Sequence, residues 1–150
     1  MHIAFESPRQ ADVVALIDEL DAYQRPLYPA ESHHGIDIDQ LDAPHVLFAV
    51  ARDGEGRAVA CGAIVLGTGF GELKRMYVKP ALRGRGPAGR LLRALEDAAA
   101  TRGCAAFALE TGTLQPEAIR LYERAGYVAC GPFGDYRPDP NSVFMRKGAG

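Results

Sequence analysis

Cysteine is scarce in this chain, and what there is of it builds nothing. Cys61, Cys104 and Cys130 are odd in number, widely spaced and free of any CxxC pair, which excludes a disulfide framework and gives no zinc site. They read as small buried strand residues. The paired histidines His33 and His34 are adjacent, so their side chains do not converge on one ion, and no third ligand stands near in sequence; no metal is expected. An excess of either charge is also lacking. Seventeen Lys and Arg face nineteen Asp and Glu, for a formal net charge of −2, with a sequence pI near 6.1. That balance gives no electrostatic reason to expect nucleic acid or a membrane surface as partner. No apolar run approaches the length of a membrane span, and the N-terminus has no signal-peptide pattern, so the expected location is cytoplasmic. Repeats, linkers and low-complexity segments are missing too. With 150 residues, 47% hydrophobic and 24% charged, the chain reads as a single domain over residues 1–150 with a full core.

What stands out instead is Arg83-Gly84-Arg85-Gly86-Pro87-Ala88-Gly89-Arg90. It lies between a strand-like run, Glu72 to Val78, and an amphipathic helix starting near Pro87. Glycines let backbone amides approach a ligand, and proline suits the first helical position, where its missing N–H costs little. A helix N-terminus with unpaired N–H groups and three arginines, Arg83, Arg85 and Arg90, makes an anion site for a phosphate or pyrophosphate. Gly84-x-Gly86-x-x-Gly89 also fits the dinucleotide-binding GxGxxG, with Glu110 roughly 20 residues on. That fold needs its first glycine directly after a strand and repeated βαβ units. Here Lys79 to Arg83 intervenes, Pro80 ends strand pairing, and the chain offers one such unit.

Along the chain, Ile3-Ala4-Phe5 alternates as a first strand. Ser7-Pro8-Arg9-Gln10 has the form of a helix start with a capping box, and Val13, Leu16, Ile17 and Leu20 give that helix an apolar face up to Pro26 and Pro29. Asp37 to Leu41 reads as a short second helix. Val46 to Arg52, Ala58 to Leu66 and Glu72 to Val78 form a three-strand meander, with a turn at Asp53-Gly54-Glu55-Gly56. Leu91, Leu92, Leu95, Ala98 and Ala99 mark one face of the long helix, closed by Gly103. Cys104 to Leu109 follows as a strand parallel to Glu72–Val78. Gln115 to Ala125 is a helix opened by Pro116 with Ile119 and Tyr122 inward, and Tyr127–Cys130 and Val143–Met145 complete the strands.

This order, with four local matches, resembles the GNAT superfamily of acetyl-CoA-dependent N-acyltransferases. The first match is Lys74-Arg75-Met76-Tyr77-Val78-Lys79-Pro80, similar to the family's fourth strand. Arg83, Gly86 and Ala88 satisfy its Arg/Gln-x-x-Gly-x-Gly/Ala signature. Leu91-Leu92 lie in the helix behind. Leu121-Tyr122-Glu123-Arg124-Ala125-Gly126-Tyr127 is close to its Leu-Tyr-x-x-x-Gly-Phe/Tyr segment. Pro87 departs from the usual Ile or Val, and Gln115 stands where the family often has Asn. The resemblance implies an α/β (α+β, three-layer) fold: a mixed, mostly antiparallel sheet with helices on both faces and a splayed parallel strand pair at the cofactor site.

The resemblance implies acetyl-CoA as co-substrate. Its pantetheine arm would lie against Met76, Tyr77 and Val78, and its pyrophosphate on Arg83, Gly84, Arg85, Gly86, Ala88 and Gly89, with Gln115 nearby. An alkyl ammonium has a pKa near ~10 and must lose a proton before it attacks a thioester. Glu72 is the candidate base, expected to share a strand face with Lys74, Met76 and Val78; the alternative is a strand-end carboxylate paired with Lys74 or Arg75. Tyr122 matches the family's general acid for the leaving thiolate; the alternative is a core tyrosine. No Ser-His-Asp or Cys-His arrangement is legible, so direct transfer in a ternary complex needs no acyl-enzyme. The acceptor pocket is expected between Tyr28–His34 and Phe133–Asn141. There Glu31 would meet an ammonium, and Arg75, His33, His34 or Arg137 a carboxylate or phosphate, with Tyr28 in the wall. The partner implied is a small-molecule amine, with a homodimer left open. Acetylation of a protein lysine or N-terminus, or a non-catalytic acyl-CoA-binding module, are the competing functions.

Overall fold

Seven strands form one sheet in the computed structural model, which describes residues 1–32 and 36–148. The elements in chain order are β1 (His2–Phe5), α1 (Ala11–Gln24), α2 (Ile38–Leu41), β2 (Val46–Arg52), β3 (Ala58–Leu66), β4 (Gly71–Val78), α3 (Pro87–Thr101), β5 (Ala106–Gly112), α4 (Pro116–Arg124), β6 (Val128–Cys130) and β7 (Ser142–Gly148). The strand order is β1-β2-β3-β4-β5-β7-β6. Only β4 and β5 pair in parallel; the other neighbours are antiparallel. The sheet is thus mixed, as expected. No described helix is long and apolar enough to cross a membrane.

Alternation along the strands makes two cores. Phe48 and Val50 of β2 and Cys61 and Ala63 of β3 face Val13, Leu16, Ile17 and Leu20 of α1 and Leu41 of α2. Ala49, Ala51, Ala60 and Ile64 face the other way, onto Leu91, Leu92, Leu95 and Ala99 of α3 and Tyr122 of α4. Each such leucine, buried, contributes about 1.5–3 kcal/mol. Helices therefore cover both faces.

Two local readings change. α1 begins at Ala11, not at Ser7, and Gln10 occupies its N-cap without a side-chain cap bond. The Ser7 hydroxyl accepts instead from the Arg9 N–H at 3.1 Å, and the Gln10 amide donates to Glu6 and to the Ser7 carbonyl. A local turn captures the polar groups that a capping box needs. On α4 and its C-cap the residues packed on the core are Ala118, Leu121, Tyr122 and Ala125; Ile119 is half-buried and outside that set.

Candidate active site

The site starts from a fault in β4. Arg75 has φ 58°, a left-handed conformation for a residue with a Cβ, which costs roughly 1–2 kcal/mol. The register with β3 slips there: Lys74 opposes Ala63, but Tyr77 opposes Cys61. This bulge reverses the strand's alternation. Leu73 and Val78 both face α3, while Tyr77 faces α1. The expected common face of Glu72, Lys74, Met76 and Val78 is therefore divided. Lys74 opposes Ala63 on the α1 side, whereas Met76 packs on the α3 side, with its Sδ over Gly62. The Arg75 guanidinium holds the bulge, donating to Asp21 of α1 at 2.5 Å and to the Ile36 carbonyl at 2.8 and 3.0 Å.

The parallel pairing is short. β4 and β5 meet at Gly71–Phe107, Glu72–Ala108 and Leu73–Leu109, and no further. Beyond Leu73 and Leu109 the strands part, and a groove of about 800 Å³ opens beside α3 and α4. Met76, Tyr77, Val78, Arg83, Gly84, Gly86, Ala88 and Gly89 line it. Gly84 and Gly86 have φ 81° and 89°, conformations open to glycine at little cost. A Cβ built on Gly84, Gly86 or Gly89 meets no atom within 4 Å, so the backbone faces open space. Arg83 donates through Nε to the Val78 carbonyl at 3.1 Å, and its guanidinium lies 5.3 and 5.6 Å from the Tyr23 and Tyr77 ring centroids. It braces the loop against β4 and α1. Arg85 is exposed and outside the groove wall.

A second cavity, of about 120 Å³, lies on the far side of the same gap. Tyr28, Ser32, Lys74, Arg75, Glu110 and Tyr136 are in its wall. The Tyr28 hydroxyl donates to Gln115 Oε1 at 3.1 Å and accepts from the Leu114 N–H at 3.2 Å; burial raises its pKa. Ser32 donates to Asp139 at 2.8 Å and accepts from the Asn141 amide at 3.3 Å, joining the segment after α1 to the β6–β7 loop. Glu110 accepts from the Ser142 hydroxyl at 2.8 Å.

The two cavities share a wall made of Leu20, Met76, Gln115, Ala118 and Tyr122. Tyr122 is buried, edge-on to Tyr127 at 5.9 Å, and burial pushes its pKa well above the ordinary phenol value. It is both a core residue and a residue of the shared wall. Glu72 stands behind the acceptor wall. Its carboxylate accepts from the Tyr136 hydroxyl at 2.5 Å and lies 3.2 Å from Lys74 Nζ. The expected pairing with Lys74 is present; Arg75 turns elsewhere.

Among the other expected acceptor residues, Glu31 and Arg137 are exposed and outside both cavity walls, and His33 and His34 lie outside the described residues. Tyr136 and Asn141 lie in the expected Phe133–Asn141 wall, though neither was singled out; sequence reading missed Glu110 in the small cavity and Arg120 and Arg124 in the groove wall. Arg120 and Arg124 sit one turn apart on α4, a spacing visible in sequence; Tyr136 and Glu110 come together only through the β5–β7 pairing.

The comparisons agree with this architecture. The family model described as "Acetyltransferase (GNAT) family" matches residues 13–127. An IAA acetyltransferase from Azospirillum brasilense is 50% identical over 147 residues, covering 97% of this chain and 95% of the relative. A crystal structure from Klebsiella pneumoniae, assigned as an acyl-CoA N-acyltransferase, superposes with a TM-score of 0.87 at 44% identity, covering 98% of this chain and 96% of that one. An aminoglycoside 6'-N-acetyltransferase complexed with coenzyme A gives a TM-score of 0.76 over 99% and 97% of the two chains; at 19% identity it bears on fold alone. Together with the split β4–β5 pair and the glycine loop at the head of α3, these matches place the chain in the GNAT family of acetyltransferases.

Proposed function

We propose that this chain moves an acetyl group from acetyl-CoA to a primary amine of a small molecule, by direct transfer in a ternary complex. The observation that carries the reading is the shared wall: a long groove and a small cavity meet at Tyr122. The groove suits coenzyme A. Its open strand edge beyond Leu73 can pair with the pantetheine amides as an added strand would. Gly84, Gly86 and Gly89 leave room for phosphate oxygens at the N-terminus of α3. The neighbour solved with coenzyme A has the same fold.

The small cavity suits a small acceptor. It is a recess of about 120 Å³ walled by Tyr28, Ser32, Tyr136 and Asn141 rather than a broad, shallow groove, and this supports a small amine over a protein lysine. The amine would lose a proton, with Glu72 as the final acceptor, and attack the thioester carbonyl. As the tetrahedral adduct collapses, the thiolate leaves and takes the Tyr122 proton, which the nitrogen then replaces. Tyr122 carries its proton at neutral pH as an ordinary phenol does, and burial, which raises its pKa, favours return of the proton to its oxygen after the transfer. None of the three cysteines lines either cavity, and burial pushes the Cys61 thiol up to about 12. That supports direct transfer over a cysteine-bound acyl group.

The test is a panel of small primary amines with acetyl-CoA, read by thiol release and by mass of the product. Release with at least one amine and an N-acetylated product is expected. Faster acetylation of lysine peptides than of any panel amine would favour a protein substrate; coenzyme A binding with no turnover on either set would leave an acyl-CoA-binding module.

A further inference from the structure

Glu72, the candidate base, does not line the acceptor cavity, yet the residue bonded to it does. Tyr136, from the loop between β6 and β7, is part of the cavity wall. Its hydroxyl donates to Glu72 Oε2 at 2.5 Å and accepts from Lys74 Nζ at 2.7 Å. We propose that Tyr136 is a further catalytic residue, relaying the acceptor's proton to Glu72. The proposal rests on the transferase reading above.

The step balances without another reagent. An N–H bond of the bound ammonium breaks and its proton goes to Tyr136 Oη. The proton that Tyr136 held crosses to the Glu72 carboxylate. The products are a neutral amine, an unchanged tyrosine and a protonated Glu72, which then loses its proton to solvent. Tyr136 is never a free phenolate, so the step does not require an ordinary phenol to ionise near neutral pH.

Position and environment fit this role. Phe133 and Phe144 hold the ring at centroid distances of 5.1 and 5.4 Å. Lys74 Nζ lies 5.3 Å from its centroid. Burial, then the bond to Glu72, raises the Tyr136 pKa far above the ordinary phenol value, so the resting tyrosine is protonated and donating. Among the described residues, the charged groups facing it are Glu72 and Lys74 from β4 and Glu110 from β5. Lys74 Nζ also lies 3.2 Å from the Glu72 carboxylate.

The test is Tyr136→Phe, which keeps the ring packing and the Lys74–Glu72 pair but removes the hydroxyl. The acceptor is the panel amine with the highest kcat/KM. Expected are an unchanged melting midpoint, a fall in kcat/KM of about 10²-fold at pH 7, and a loss that shrinks as pH approaches the amine's own pKa near ~10. Glu72→Gln should show the same pH-dependent loss. The double variant should be no worse than the worse single one, because the two act as a unit. Wild-type rates in Tyr136→Phe, a loss independent of pH, or multiplicative losses in the double variant would each overturn the relay while the transferase reading stands. A wild-type protein inactive on every amine would remove both.

Discussion

The groove and the small cavity share Tyr122 but are made from different materials. The groove is drawn mainly from three stretches, 76–78, 83–89 and 115–124, with Leu20 and Tyr23 of α1, and its phosphate end is the glycine loop. The cavity is largely polar side chains drawn from α1, the segment after it, β4, β5 and the β6–β7 loop. A glycine loop can meet phosphate oxygens through backbone amides, whereas a wall of polar side chains can be exchanged residue by residue. On the proposed function, coenzyme A recognition would belong to the groove and acceptor choice to the cavity, so changes can be aimed at one without the other.

The largest effect is expected where the two meet. Tyr122→Phe keeps the ring packed against Tyr127 and removes the proton donor. Turnover should fall by about 10²–10⁴-fold, with kcat and kcat/KM falling together and little change in either Michaelis constant. Steady-state kinetics with both substrates varied checks it; a variant with wild-type kcat would make Tyr122 a packing residue only.

A change confined to the groove should separate next. Gly86 has φ 89° and opens onto empty space. Gly86→Glu would put a carboxylate beside the proposed pyrophosphate and impose about 1–2 kcal/mol of backbone strain. Coenzyme A affinity by calorimetry should drop roughly 10²-fold on a folded protein. Undiminished affinity would take the loop out of the cofactor site.

A change confined to the cavity should do the reverse. A Cβ on Gly112 would fall 1.7 Å from the Tyr28 hydroxyl and 2.1 Å from its Cζ. Gly112→Ala must therefore displace Tyr28 from the acceptor wall. The acceptor KM should rise by about tenfold, in the range expected when one well-placed contact of ~1.4 kcal/mol is lost, with coenzyme A affinity unchanged. Equal effects on both substrates would dissolve the distinction between the regions.

The smallest effect lies outside both. Arg52 donates to Glu6 at 2.8 Å and to Asp12 at 2.6 Å, and these bonds hold both carboxyls below their ordinary values. A depressed folded pKa gives stability that is present above the unfolded value, near ~4, and is lost as pH falls through the folded value. Arg52→Ala should cost less than ~1 kcal/mol for these partly solvated pairs, with the difference from wild type vanishing at acid pH. Melting curves at pH 7 and pH 3 read it, and both should leave groove and cavity ligands unaffected.

Legibility in the sequence followed the same division. The glycine loop with Pro87 and the Leu-Tyr segment of α4 are local patterns, each confined to a few consecutive residues of the groove wall. Strand boundaries at Val46–Arg52 and Ala58–Leu66 coincide with the observed ones because apolar runs and turn residues mark them. The bulge at Arg75 left no such mark. Nothing local signals a left-handed arginine; it exists because Asp21 and Ile36, distant in sequence, hold its guanidinium. That one residue divides a strand face that simple alternation would keep whole. Glu110 was invisible for a related reason: β5 runs on to Gly112 beside β7, three residues past the point where its apolar pattern ends.

The central claim is that the two regions meet at Tyr122 around a thioester. A crystal structure with bound coenzyme A tests it most directly. The account predicts the pyrophosphate on the N–H groups between Gly84 and Gly89, the pantetheine in the gap beyond Leu73 and Leu109, and the thiol sulfur within hydrogen-bond reach of Tyr122 Oη. A coenzyme bound elsewhere, or a sulfur remote from Tyr122 with the small cavity opening away from it, would contradict the account.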